Sequence, residues 1–232
     1  MEIHHYNDFI AALEEAGFAM AGGSADGIYS IIPWGWDAEP PYDTRVTWHS
    51  GKPDLDPWIW RLRVLEEGGR FAYGKVFFKK GGFITRQWYP HFLKVRRKGQ
   101  TMEEAFAEGR ISYEAKEAYD AVVRLQPVPL HTLKAELGIT RDSKSSFDRA
   151  LVELQMGLWV TISGARPKQS QDGQDYGWSS TVFTTTEAFW GPEVFDEAGT
   201  LSEKAAHEAI REQIVRLNPE ARAAKMNRFI DG

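Results

Sequence analysis

The sequence predicts an α+β chain, and three observations carry that expectation. Glycines, prolines and capping residues cut the chain into pieces of helix and strand length. Apolar residues recur at helical spacing in some pieces and form short β-branched and aromatic runs in others. Half of the thirty Phe, Trp and Tyr residues fall between Tyr29 and Phe92, so bulky core material is concentrated early.

The elements follow in chain order. A first helix is expected from Asn7 to Gly17, with Phe9, Ile10 and Leu13 on its inner side. Residues 22–27 (Gly-Gly-Ser-Ala-Asp-Gly) read as a turn, and Ile28 to Ile32 as a strand. Pro33 to Pro57 is an aromatic, proline-rich stretch, read as an ordered loop. Asp56-Pro57 starts a helix, Asp as N-cap and Pro in the first position, which ends near Gly68-Gly69. Phe71 to Phe78 and Phe83 to Trp88 read as two strands, with Lys79-Lys80-Gly81-Gly82 as their turn. Tyr89 to Lys98 reads as helical, and Thr101 with Glu104 forms a capping box for another short helix.

From about residue 110 the texture becomes helical. Helices are expected over Ser112 to Leu125, Leu130 to Leu137 and Lys144 to Met156. The third carries Phe147, Ala150, Leu151 and Leu154 at i, i+3, i+4 and i+7. Leu158 to Ser163 and Trp178 to Thr184 then read as strands flanking a polar loop, Arg166 to Asp175. Thr186 to Trp190, Leu201 to Leu217 and a segment after Pro219 close the chain as helices. Helix, helix, turn, helix, strand, loop, strand is the order of a winged helix-turn-helix, in which the third helix can enter a major groove. The full expectation is therefore a Trp-rich N-terminal α/β part (1–110), a winged helix-turn-helix (111–185) and a C-terminal helical segment (186–232).

Composition limits the function. The 232 residues are 42% hydrophobic and 26% charged, a mix that excludes a disordered or collagen-like chain. No apolar run approaches the roughly 18 residues of a spanning helix, and no secretion signal is visible, so no membrane partner and a cytoplasmic location are expected. There is no cysteine, which removes disulfides, thiolate metal sites and cysteine nucleophiles. The six histidines show no metal-ligand spacing, so neither a metal nor another cofactor is expected.

The charge is uneven. Arg61 to Lys98 holds eleven basic residues against Glu66 and Glu67, a local +9 in a chain of net −5. A local basic face can hold a polyanion on an acidic protein, because screening limits each charge to about 8 Å. The competing reading scatters these charges over several sides. The candidate nucleic-acid contacts are Arg86, Lys94, Arg96 and Arg97, then Arg141, Lys144, Ser145 and Arg149 on and before the third helix, and Arg166 and Lys168 on the wing. Trp34, Trp36, Trp58 and Trp60 are candidate stacking surfaces for bases, with core packing as the alternative. Asp37, Asp43, Asp54 and Asp56 lie in the Trp-rich loop, where a carboxylate could activate water; capping and turn roles explain Asp54 and Asp56 equally well.

The stretch HTLKAELGITRDSKSSFDRALVELQMGLWVT (131–161) resembles a segment of the bacterial AlkZ/YcaQ-type DNA glycosylases. Asp-Pro-Trp-x-Trp-Arg (56–61) and Phe-Phe-Lys-Lys-x-Gly-x-Ile-Thr-Arg-x-Trp-Tyr-Pro (77–90) resemble a group of shorter AlkZ-related bacterial proteins. The resemblance implies DNA as partner and a setting in repair of alkylated or crosslinked bases. The glycosylases use a Gln-x-Gln motif in their N-terminal part. The one such motif here, Gln169-Ser-Gln171, falls in the predicted wing, so no catalytic residue is carried over. Three functions are weighed: a nucleic-acid-binding protein without catalysis, a glycosylase-like enzyme, and an interaction module forming a homodimer.

Overall fold

The computed structural model describes residues 3–21, 46–169 and 175–232. The strand expected at 28–32, and Trp34, Trp36, Asp37, Asp43 and Gln171, lie outside the described residues. The chain is an α+β protein built on one antiparallel sheet.

Helix α1 (Tyr6–Ala16) stops at Gly17, where φ is +82°. Strand β1 (Phe18–Met20) follows at once. Helix α2 (Pro57–Arg63) starts as the Asp-Pro pair requires: the Asp56 carboxylate accepts from the Trp58 N–H at 2.9 Å. Strands β2 (Phe71–Phe77) and β3 (Lys80–Thr85) form a hairpin. Helices α3 (Tyr89–Arg97), α4 (Met102–Ala107) and α5 (Tyr113–Leu125) come next. The capping box of α4 is formed, with Thr101 N–H donating to Glu104 and Glu104 N–H to the Thr101 hydroxyl.

Strand β4 (Val128–Pro129), helix α6 (Leu130–Glu136), helix α7 (Lys144–Met156) and the long hairpin of β5 (Val160–Gln169) and β6 (Asp175–Thr185) follow. Helices α8 (Thr186–Trp190), α9 (Glu193–Thr200), α10 (Glu203–Leu217) and α11 (Ala223–Asp231) complete the chain.

The strand order is β1-β3-β2-β5-β6-β4. Strands from both sides of residue 110 meet where Tyr73 of β2 pairs with Ile162 of β5. Side chains alternate across a strand, so each strand can feed two cores. Phe18 and Met20 enter a core with α3, α9, α10 and α11, whereas Ala19 enters one with α1 and α2. Phe83 and Ile84 of β3 divide in the same way. A third core joins α5, α6 and α7 to Val160, Ile162 and Phe183 of the hairpin. Tyr73 packs against both this core and the α1–α2 core.

Two expectations about the first hairpin need correction. The turn is made by Phe78 and Lys79, both at positive φ, with Phe77 opposite Lys80. Gly81 and Gly82 lie inside β3 instead, and the strand ends at Thr85 rather than Trp88. Packing explains it: a Cβ on Gly82 would sit 2.4 Å from the Phe77 ring and 3.1 Å from the Ala19 carbonyl oxygen. These glycines admit close neighbours and do not make the turn. Strands β5 and β6 also run further into the polar segment than expected, to Gln169 and from Asp175. Strands β1 and β4 were not foreseen, because two or three residues carry no readable period. Helix α9 was not foreseen either, since only Val194 and Ala198 of its residues are buried.

Candidate nucleic-acid interface

Helix α7 carries the candidate site, and its inner stripe shows why it stands where it does. Phe147, Ala150, Leu151, Leu154 and Gln155 are buried. Gln155 is a polar anchor within that stripe. Its Oε1 accepts from the Lys75 N–H at 2.9 Å, and its Nε2 donates to the Leu151 carbonyl at 2.9 Å, tying α7 to β2. The turn before α7 is held by Thr140 N–H donating to the Ser143 hydroxyl at 3.0 Å.

This packing turns Lys144, Ser145, Asp148 and Arg149 to solvent. They line a groove of about 900 Å³ together with Arg141, Lys75 and Lys79. Five cations thus converge from β2, the β2–β3 turn, the loop before α7 and α7 itself. Arg149 is held in place by the Ser145 and Ser146 hydroxyls at 3.1 and 3.2 Å. Three carboxylates share the groove: Glu114, Asp148 and Glu153. Two are engaged. Glu153 accepts from the N–H and hydroxyl of Ser112, both at 2.7 Å, and Asp148 pairs with Lys134 at 3.3 Å. The N-terminal end of the α7 macrodipole adds partial positive charge at the same place.

The other basic candidates go elsewhere. Arg96 is 5% exposed, and its guanidinium donates to the carbonyls of Val76, Met156, Phe229 and Ile230. Burial pulls it down to about 10. Arg97 is buried too, donating to the Leu158 carbonyl and to Glu187, with Trp159 beneath it at 4.1 Å. Arg86 holds Glu197 in a two-pronged pair, which keeps the Glu197 carboxyl below its usual range. Lys94 is half-buried on α3. Arg166 is exposed on β5 beside a different concavity, lined by Gln126, Pro127 and Phe189, and Lys168 lies further out on the same strand. The basic stretch therefore divides: acids from distant elements take Arg70, Arg86, Arg97 and Lys98, nearby Asp54 takes Arg63, and Lys75 and Lys79 face α7.

The tryptophans divide as well. Trp60 is fully buried, stacked on Phe9 at 5.2 Å, with its Nε1–H donating to the Pro53 carbonyl. It is core and has no free ring face for stacking. Trp58 is half-buried, with the Arg61 guanidinium 3.6 Å above its ring. Trp58 and Arg61 line a second groove of about 780 Å³ whose far wall is the β5–β6 hairpin, including Trp178. Trp178 is 84% exposed and drew attention in the sequence only as the start of a strand.

Asp56 is 1% exposed and accepts from three backbone N–H groups, those of His49, Gly51 and Trp58. Asp54 pairs with Arg63 at 2.8 Å. Both carboxylates are committed to local structure. Among the described residues, no group of three His, Cys, Asp or Glu could hold a metal ion, and no helix is long and apolar enough to cross a membrane.

An antiparallel α+β scaffold with a cation-lined groove along an exposed helix is the class that the geometry defines. The model of the AlkZ-related family matches residues 3–231, and the chain belongs to that family. No curated protein and no solved structure matches it.

Proposed function

We propose that this protein binds duplex DNA, as a non-catalytic member of a DNA-repair setting. In this reading residues 111–185 act as a winged helix-turn-helix, with α7 as the helix that approaches the duplex. Membership of the AlkZ-related family supports DNA as the partner. The observation that carries the reading is the convergence of Lys75, Lys79, Arg141, Lys144 and Arg149 on one groove. Three of these cations lie on flanking elements and two on the first two turns of α7, the arrangement that suits phosphates on either side of a groove. The reading assigns no bond-breaking step, and of the four candidate carboxylates Asp54 and Asp56 are committed to Arg63 and to backbone N–H groups.

The test is anisotropy of a labelled duplex across a salt series. Each neutralised phosphate releases counterions, so five contacts give a slope of about −4 to −5 in log K against log salt. Reversing charge in K144E/R149E is expected to flatten that slope by about 2 and weaken binding without regard to base sequence. Absence of duplex binding at low salt overturns the proposal.

A further inference from the structure

The groove between α2 and the hairpin is separate from the one along α7, and its chemistry differs. Its walls carry two indoles, Trp58 and Trp178, and two guanidinium groups, Arg61 and Arg63. Trp178 stands 84% exposed on β6. A large apolar ring left in water, on the stretch of β6 where the pairing with β5 shifts register, has no packing role there. The Arg61 guanidinium sits over Trp58 at 3.6 Å and interacts with the Tyr73 hydroxyl, while its Nε is buried with no hydrogen-bond partner. A donor poised in an aromatic cleft, beside an open indole face, is suited to a ligand that has both planar rings and anionic oxygens. The volume of about 780 Å³ is in the range that holds a ligand of a few rings.

We infer that this groove binds a short stretch of unpaired nucleic acid, with a base on the open face of Trp178 and phosphate on Arg61, which Trp58 supports from beneath. The inference rests on the nucleic-acid reading above and names a second, distinct contact. Duplex DNA does not satisfy the site, because stacked pairs hide their ring faces from one another. An unstacked base presents its π-face to an indole whatever its identity. Glu66 on the rim opposes the anion, so the aromatic contacts dominate recognition and the guanidiniums orient the backbone.

The experiment compares a labelled oligothymidylate with a labelled blunt duplex, using the full chain and the variants W178A, W178F and K144E/R149E. Wild type is expected to bind both probes, and the oligothymidylate to quench tryptophan fluorescence. W178A is expected to weaken oligothymidylate binding about tenfold, the scale of one lost base stack, and leave duplex binding unchanged. W178F keeps an aromatic face and restores most of the affinity. K144E/R149E shows the reverse pattern, losing duplex more than oligothymidylate. Duplex binding without oligothymidylate binding overturns this inference alone. So does W178A behaving as wild type, or weakening both probes equally. Failure of both probes overturns it together with the duplex reading. Trp178 is exposed, so its replacement leaves the core intact and the comparison is one of folded proteins.

Discussion

The Arg96 guanidinium donates from its Nε to the carbonyl of Ile230 at 2.9 Å, joining α3 to α11 across 134 residues. The same group reaches Val76 on β2 and Met156 at the end of α7, each at 2.8 Å. One buried side chain thus holds the C-terminal helix, the first hairpin and the helix of the candidate interface in a common frame.

Arg96→Lys should be costly for that reason. A lysine has three donors on a point charge and cannot reproduce the planar fork that serves four carbonyls. Loss of about 2–3 kcal/mol is expected, read as a lower urea midpoint at constant m. A midpoint equal to wild type would show that the four carbonyls do not depend on this group.

Gly82→Ala is expected to destabilise by about 2–3 kcal/mol through overpacking. The added Cβ meets Phe77, which cannot withdraw because it is stacked on Phe229 at 3.8 Å. Gly199→Ala in α9 is the matched control. Nothing lies within 4 Å of its Cβ, so a gain of up to about 1 kcal/mol from helix propensity is expected. Thermal melts of the two variants should move in opposite directions.

Asp56→Ala removes the acceptor of three N–H groups and the N-cap of α2. A loss of about 2–3 kcal/mol is expected. Hydrogen exchange should show the amides of His49, Gly51 and Trp58 losing protection before those of α7.

Alkaline pH should unfold the protein. Burial raises the hydroxyls of Tyr73 and Tyr89, and that of Tyr119 to about 12; Tyr6 is raised by burial and by its hydrogen bond to Glu67. Groups raised in the folded state contribute stability that is complete below about pH 10, where free tyrosine titrates, and is lost as pH rises through the folded values. The lowered Arg96 acts in the other direction above pH 10, but it is one group against four. Tyrosinate absorbance should therefore rise together with loss of far-ultraviolet ellipticity. Tyrosinate forming well before any loss of ellipticity would contradict this.

Local chemistry was legible where it is self-contained. The Asp56-Pro57 start of α2, the Thr101–Glu104 capping box and the inner stripe of α7 all follow from residues within one or two turns of each other. The helices and the hairpin from α5 to β6, though not β4 between α5 and α6, were readable for the same reason. The glycines of the first hairpin were misread because Gly-Gly signals a turn only when no neighbour needs the space, and here Phe77 and Tyr73 do.

The candidate site was half legible. Lys144, Ser145 and Arg149 share an exposed helical face, which spacing alone supplies, and Arg141 is close to them in the preceding turn. Arg96 and Arg97 have the same residue type and sit in an equally basic run, yet they point inward. Nothing in a basic run says which arginines find buried carbonyls, because those carbonyls come from residues 20 to 134 positions away. The pairing of Trp58 with Trp178 across a groove is of the same kind. Most helices and strands and their apolar faces follow from neighbours along the chain, whereas β1, β4, α9 and the first hairpin's turn do not. Only the tertiary structure decided which cations and aromatic rings remain at the surface, because burial is settled by residues far apart in sequence.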